Sequence, residues 1–255
     1  MGRFVSQTAY RVDKKTYAAN GQVLKFNPFE IDVNDTNLIS TNYNFRQSLF
    51  FNQSSPVFGF DYTYQDNKSK QLLTNGYESR GLLTHELRTR WNMTRAWGFF
   101  TTSSLGEKTT LSQFFANRNY TIQIWEVEPK LSYQPNTAFR ISGLFKYTEK
   151  ENTAPGGFQK ATVQDYALEL KFNKLSKGSF NARFDYLLIG YNDEDNTPIS
   201  FEMLSSLRPG RNITWSASYQ QNLSGNIQIS FTYDGRSTPS SKIVHIGGAQ
   251  VRAFF

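Results

Sequence analysis

Alternation of apolar and polar side chains with a period of two runs through most of this chain, and it constrains the fold more than any other feature. Successive side chains of a strand point to opposite faces, so a period of two gives each face its own chemistry. In VFGFDYTYQ (57–65), Phe58, Phe60, Tyr62 and Tyr64 share one face, and Gly59, Asp61, Thr63 and Gln65 the other. FRISGLFKYT (139–148) sets Phe139, Ile141, Gly143, Phe145 and Tyr147 against Arg140, Ser142, Lys146 and Thr148, with Leu144 out of phase. ITWSASYQ (213–220) and IQISFTYD (227–234) repeat the scheme. Helical periodicity is weak throughout.

About twelve such segments of roughly nine to thirteen residues can be placed, longer than most soluble strands and matched to a tilted membrane strand. They are 42–52, 57–66, 79–92, 96–105, 120–133, 138–149, 161–173, 179–191, 198–206, 212–222, 226–235 and 243–255. YTIQIWEVEPKLSY (120–133) changes phase between Ile124 and Trp125, which predicts a bulge there. Short connections near Met93, Gln134–Ala138, Asn173–Gly178 and Arg208–Asn212 alternate with longer ones at Asn67–Glu78, Gly106–Asn119, Lys150–Lys160 and Asn192–Pro198. That is the meander of an up-and-down barrel. A propeller would fit four short strands into each repeat instead of two long ones. The expected fold is therefore all-β, an antiparallel up-and-down transmembrane β-barrel of about twelve strands. Residues 41–255 would form the barrel, and 1–40, with the acidic stretch NPFEIDVNDTNL (27–38), an amino-terminal extension, linker or plug.

Composition fits. Aromatics make up 16% of the chain, with 22 Phe and 14 Tyr, while mean hydropathy is only −0.55. This balance suits a structure that is apolar on alternate residues. Phe51, Phe58, Trp91, Trp97, Tyr133, Phe139, Phe172, Phe180 and Trp215 mark one end of the segments. Tyr64, Tyr120, Tyr147, Tyr166 and Tyr186 lie towards the other, as two interfacial girdles would. No apolar run reaches the roughly 18 residues of a spanning helix, and the first residues, MGRFVSQTAYRVDKK, lack the apolar core of a signal peptide. The absence of cysteine excludes disulfides and thiolate metal sites. The net charge of +7 favours acidic partners: nucleic acid, anionic lipid headgroups or lipopolysaccharide. A scattered solvated surface is the plainer reading, since no basic run of five or six residues occurs. Nucleic acid is set aside because the aromatics are spread over every segment instead of clustered on a basic groove.

If the aromatic face meets lipid, the opposite face lines a lumen. It carries Asp61, Arg80, Glu86, Arg88, Arg90, Glu126, Glu128, Arg140, Lys146, Glu169, Lys171, Arg183, Asp185 and Glu202, together with Arg46, Lys130, Asp165 and Arg252. Charge in a lumen is costly unless paired or hydrated. Interspersed signs point to a lumen packed with ion pairs, where a selective pore would show one dominant sign. No catalytic, cofactor or metal site is expected. His85 shares parity with Leu83, Leu87 and Trp91, and HE at 85–86 lacks the second helical histidine of a zinc protease. His245 has no motif that selects a serine for it. NDEDNTP (192–198) lacks the twelve-residue calcium-loop grammar and reads as a solvated turn.

The closing run IVHIGGAQVRAFF places Gly247, Ala249, Val251, Ala253 and Phe255 on one face. With its terminal Phe, it resembles the assembly signal of bacterial outer-membrane barrels, here Val251, Ala253 and Phe255. The usual aromatic two places before the end is replaced by Ala253. FEMLSSLRPGRNITWSASYQQNLSGNIQISFTYDGR (201–236) and FGFDYTYQDNKSKQLLTNGYESR (58–80) resemble the carboxyl-terminal barrel region of large envelope proteins of the Bacteroidota. The resemblance implies an outer-membrane location, assembly by the barrel-assembly machinery and a larger parent protein. The expected partners are thus the lipid bilayer, lipopolysaccharide, that machinery and other envelope proteins. The expected role is an anchor or scaffold, with a small-solute channel and then an outer-membrane hydrolase as alternatives. One conflict stands in this reading. Counted back from Phe255, the short turns fall at the end opposite the carboxyl terminus, where usual barrels keep both on one side; either a strand near 199–227 is miscounted or the long connections face the periplasm, and the miscount is the simpler account.

Overall fold

The computed structural model describes residues 2–17, 38–174, 177–194, 196–224 and 226–253. It holds one antiparallel sheet of twelve strands in strict chain order. The strands are β1 (Phe4–Thr16), β2 (Leu38–Phe51), β3 (Phe58–Leu73), β4 (Gly76–Asn92), β5 (Trp97–Ser112) and β6 (Tyr120–Tyr133). They continue with β7 (Phe139–Asn152), β8 (Lys160–Lys174), β9 (Gly178–Tyr191), β10 (Gly210–Ser224), β11 (Ile227–Ser237) and β12 (Val244–Ala253). An α-helix, α1 (Pro198–Met203), lies between β9 and β10, and a single 3-10 turn, Ala116–Arg118, between β5 and β6. The all-β, up-and-down architecture with twelve strands is the one the alternation dictates. Among the described residues no pairing joins β12 back to β1, so each presents one edge without a partner strand.

Several boundaries differ from expectation, each for a local reason. Phe4–Thr16 is a strand of the sheet, not part of an extension, and pairs along its length with β2. Its alternation is diluted because Ser6 and Thr8 stand where apolar residues would. Their hydroxyls bond the Gln47 amide of β2, at 2.8 and 2.5 Å. Residues 18–37 lie outside the described residues, as do Phe254 and Phe255. The loop expected at 67–78 is instead a continuation of the β3–β4 hairpin, paired out to Leu73↔Gly76. Lys68 to Gln71 are polar on both faces, so the strand goes on where the period-two signal stops. Gly76 at φ +89° supplies the left-handed residue of the tight turn.

The segment 198–206 is a helix and turn, not a strand. Thr197 caps it, its hydroxyl accepting from the Ser200 amide at 3.1 Å while Ser200 Oγ accepts from the Thr197 amide at 2.9 Å. Pro198 stands in the first turn, where its missing N–H costs nothing. Removing that false strand and adding β1 keeps the count at twelve and reverses the direction of every strand before it. The short turns after β2, β4, β6, β8 and β10 then lie at the same end as the start of β1 and the end of β12. The conflict over which end carries the short turns is thereby removed.

There is no phase change in β6. Its register with β5 runs unbroken from Tyr120↔Thr110 to Tyr133↔Trp97. Tyr120, Ile122 and Ile124 are apolar residues on the charged face, and they sit there because α1 covers them. Tyr120, Ile122, Ala161, Ile189, Met203 and Leu204 form the main buried cluster of the molecule. Pro129, which has no N–H to give, interrupts the β6–β7 pairing between Val127↔Tyr147 and Lys130↔Leu144 without shifting the register.

Candidate functional site

Cross-strand partners share a face, so the registers fix the two surfaces of the sheet strand by strand. From Arg46↔Gln65 through Asp61↔Arg88, Thr102↔Glu128, Glu126↔Thr148, Lys146↔Asp165 and Glu169↔Arg183, one continuous face holds the charged residues named from the sequence. Glu202 is the exception: it belongs to α1 and reaches that face from above.

Much of this face is wired into ion pairs. Glu169 of β8 takes Lys130 of β6 and Arg183 of β9, both at 2.7 Å. Arg183 also reaches Asp185 at 2.6 Å, and Asp185 accepts from Thr214 of β10 at 3.3 Å. Lys146 pairs with Glu126 at 2.8 Å. This network crosses β6 to β10 with both signs alternating, so each charge is compensated by its neighbours. On β4, Arg88 pairs with Glu86 at 2.9 Å and Arg80 with Glu78 at 2.6 Å. Arg90 does something else: its Nη2 donates to the carbonyls of Asn52, Gln53 and Ser55, at 2.9–3.5 Å, and fixes the β2–β3 turn. No salt bridge joins Asp61, Glu128, Arg140 or Lys171 to a partner among the described residues.

At the long-loop end of the same face sits α1. The Lys150 ammonium of β7 donates to the carbonyls of Glu202 (3.3 Å) and Met203 (2.8 Å) and to Ser205 Oγ (3.2 Å). It satisfies carbonyls that a helix end leaves open. Lys108 of β5 pairs with Glu202. A six-residue helix thus touches strands from β5 to β9, closing over the charged face. Lys108, Lys150 and α1 were not singled out from the sequence. The Thr197–Pro198–Ser200 capping pattern was the available signal.

The opposite face has a layered order. Phe51, Phe58, Trp91, Trp97, Tyr133, Phe139, Phe172 and Phe180 form a belt near the short turns. Leu87, Leu168, Phe184 and Phe231 follow, each 42–51% exposed. Tyr64, Tyr147, Tyr166 and Tyr186 come next, while Tyr120, expected among them, faces the other way into the α1 cluster. Among the described strand residues, charge on this face occurs only beyond the belts: Lys14, Asp66, Lys68, Lys70, Glu107, Glu149, Glu151, Lys160 and Arg211 towards the long loops, and Lys174 at the short-turn end.

Both histidines lie on this aromatic face. His85 Nδ1 is 2.8 Å from Tyr62 Oη, and its ring meets Tyr64 edge-on at 5.0 Å. His245 Nδ1 is 2.8 Å from Tyr233 Oη and stacks on that ring, with Trp215 beside it. Among the described residues neither is bonded to a serine or a carboxylate, as a nucleophilic site requires. The Asn192–Pro198 turn is tied into the loops: Asp193 accepts from Gln159 at 3.1 Å, and no cluster with metal-ligand geometry occurs among the described residues.

No family model and no curated protein matches the chain. Among solved structures it is similar to the translocator domain of the autotransporter NalP from Neisseria meningitidis. The identity is 10%, over 100% of this chain and 88% of that one, at a TM-score of 0.36. A likeness that distant supports no argument about fold or function.

Proposed function

We propose that the chain is an outer-membrane β-barrel that serves as an anchor or scaffold, the terminal domain of a larger envelope protein of the kind found in the Bacteroidota. The observation that carries this reading is the layered aromatic face, with its exposed apolar middle, two aromatic belts and charge only outside them. A soluble sheet with one solvated face would place polar residues along the whole of it. The step from Phe58 to Asp66 covers about 26 Å along the strand at ~3.3 Å per residue, and about 20 Å of height at the ~40° tilt of membrane strands, close to the ~25 Å apolar band of outer-membrane barrels. Strands of ten to seventeen residues are long enough to span and to project beyond it.

In this setting the charged face lines a lumen, and the edges of β1 and β12 must be closed, on each other or on further strands of the parent, because lipid cannot satisfy backbone N–H and C=O groups. Assembly through the barrel-assembly machinery, with Val251, Ala253 and Phe255 as the signal, belongs to the same reading. Lipopolysaccharide and other envelope proteins would meet the loops. The ion-pair network and α1 favour a filled lumen and an anchor over a small-solute channel, and the tyrosine-bonded histidines favour no catalytic role.

The experiment is electrophoresis of the protein folded into detergent or liposomes, with and without boiling. A closed barrel resists SDS until heated and then shifts in mobility. A protein that stays soluble in plain buffer and shows no shift is a soluble all-β module, and the reading fails.

A further inference from the structure

We infer that the short-turn end of the lumen is a docking site for an acidic polypeptide segment of a periplasmic partner. This rests on the membrane reading above, in which short turns face the periplasm. A cavity of about 1070 Å³ opens at that end, between the turns after β4 and β6. Phe100, Lys130, Ser132 and Arg140 bring the charged face into its wall, and Arg95 reaches it from the β4–β5 turn. The wall holds three cations, Arg95, Lys130 and Arg140, and no carboxylate.

The positive charge here is uncompensated. Arg140 stands directly opposite Lys171 of β8. Like charges so placed, with Cα atoms about 5 Å apart, repel. Among the described residues, Arg95, Arg140 and Lys171 form no salt bridge and no side-chain hydrogen bond. The carboxylates on the neighbouring rungs are taken: Glu169 holds Lys130 and Arg183, and Asp185 holds Arg183 again. The short connections 52–57, 93–96, 134–138, 175–177 and 225–226 contain no Asp or Glu to supply another. Arg95 and Lys171 are exposed and Arg140 is half-buried, so an anion can reach each of them.

The layout selects a chain over a small ion. Arg95, Arg140 and Lys171 are spread from the β4–β5 turn to β8, about 15 Å at ~4.8 Å per strand. One phosphate cannot meet all three. An extended peptide of about five residues covers that distance at ~3.3 Å per residue, with a carboxylate for each cation. Gln134 and Asn136, in the same wall, carry side-chain amides for its backbone. A lipid headgroup does not fit, because Arg140 and Lys171 lie on the face opposite the Phe139 and Phe172 belt. Nor does a solute in transit: the same strands carry α1 over their far end, and ion pairs fill the face between. The mouth is a dead end that holds its ligand.

The test is isothermal titration calorimetry of the protein folded in an uncharged detergent, with hexaglutamate, hexaglutamine or inorganic phosphate as titrant. Hexaglutamate is expected to bind about tenfold more tightly than hexaglutamine, as three part-exposed charge pairs together supply. Phosphate should bind more weakly than hexaglutamate. Arg140→Gln combined with Lys171→Gln should erase the preference. That variant removes a repelling pair, so it keeps the fold, and its heat-modifiable mobility checks this. Lys15→Gln combined with Lys242→Gln removes the same charge at the long-loop end and should leave the preference unchanged. A preference that survives the loss of Arg140 and Lys171, or that falls equally in the long-loop variant, overturns the site. So does equal binding of the two peptides, or phosphate bound as tightly as hexaglutamate. With the mobility shift present, these results leave the membrane reading intact. A protein that shows no shift and stays soluble in plain buffer overturns both.

Discussion

Replacing Lys150 by Met keeps the aliphatic stem against α1 and removes the ammonium. That ammonium has three donors, and all three are used, on the Glu202 and Met203 carbonyls and on Ser205 Oγ. A helix of six residues does not persist alone in water, so α1 exists as a helix only while it is docked. Loss of charged hydrogen bonds of this kind costs about 1.5–3 kcal/mol. The docking equilibrium of α1 should therefore weaken roughly 10- to 150-fold. Hydrogen exchange reads this directly. The Phe201 amide is bonded to the Thr197 carbonyl at 3.1 Å and the Leu204 amide to the Ser200 carbonyl at 2.8 Å. Both should exchange faster by that factor in K150M, while amides of the β7–β8 ladder keep their rates. Lys150→Arg should restore part of the protection, because its guanidinium also donates. Equal exchange at Phe201 and Leu204 in wild type and K150M would refute the claim that Lys150 holds the helix down.

Other consequences can be checked in the same protein. Met203→Ala empties a fully buried site under α1; it should weaken docking by about 2–4 kcal/mol, seen as faster exchange of the same two amides. Glu169→Gln removes the carboxylate that links Lys130 to Arg183; the partly exposed setting predicts a loss of about 1–2 kcal/mol, measured as a lower denaturation midpoint in detergent. Gly235→Ala places a Cβ 2.2 Å from the Trp215 ring, which must shift; the expected cost is about 1–3 kcal/mol, with a change in tryptophan emission.

The alternation carries most of the architecture. Each strand with an apolar face, such as β3 over Phe58–Tyr64 or β11 over Ile227–Tyr233, was readable because one residue in two is aromatic or aliphatic. The face on which Asp61, Arg88, Glu126, Glu169 and Arg183 lie followed from the same parity. What failed were places where the chemistry of the two faces converges. β1 has Ser6 and Thr8 on its aromatic face, and the outer ends of β3 and β4 are polar on both faces, so no period shows. In β6 the apolar Tyr120, Ile122 and Ile124 occupy the charged face, which on sequence alone looks like a slip of phase.

The sequence by itself determined the class of the fold and the division into an aromatic and a charged face, because side-chain direction in a strand is set by local geometry; its count of twelve strands agrees with the structure only because the false strand at 198–206 offsets the missed β1. Only the tertiary structure decided which charges pair, that α1 closes over one face, and that Arg140 stands opposite Lys171 with no carboxylate to meet them. Those facts depend on cross-strand register and on a loop returning across five strands, and neither is encoded in the period of any one segment.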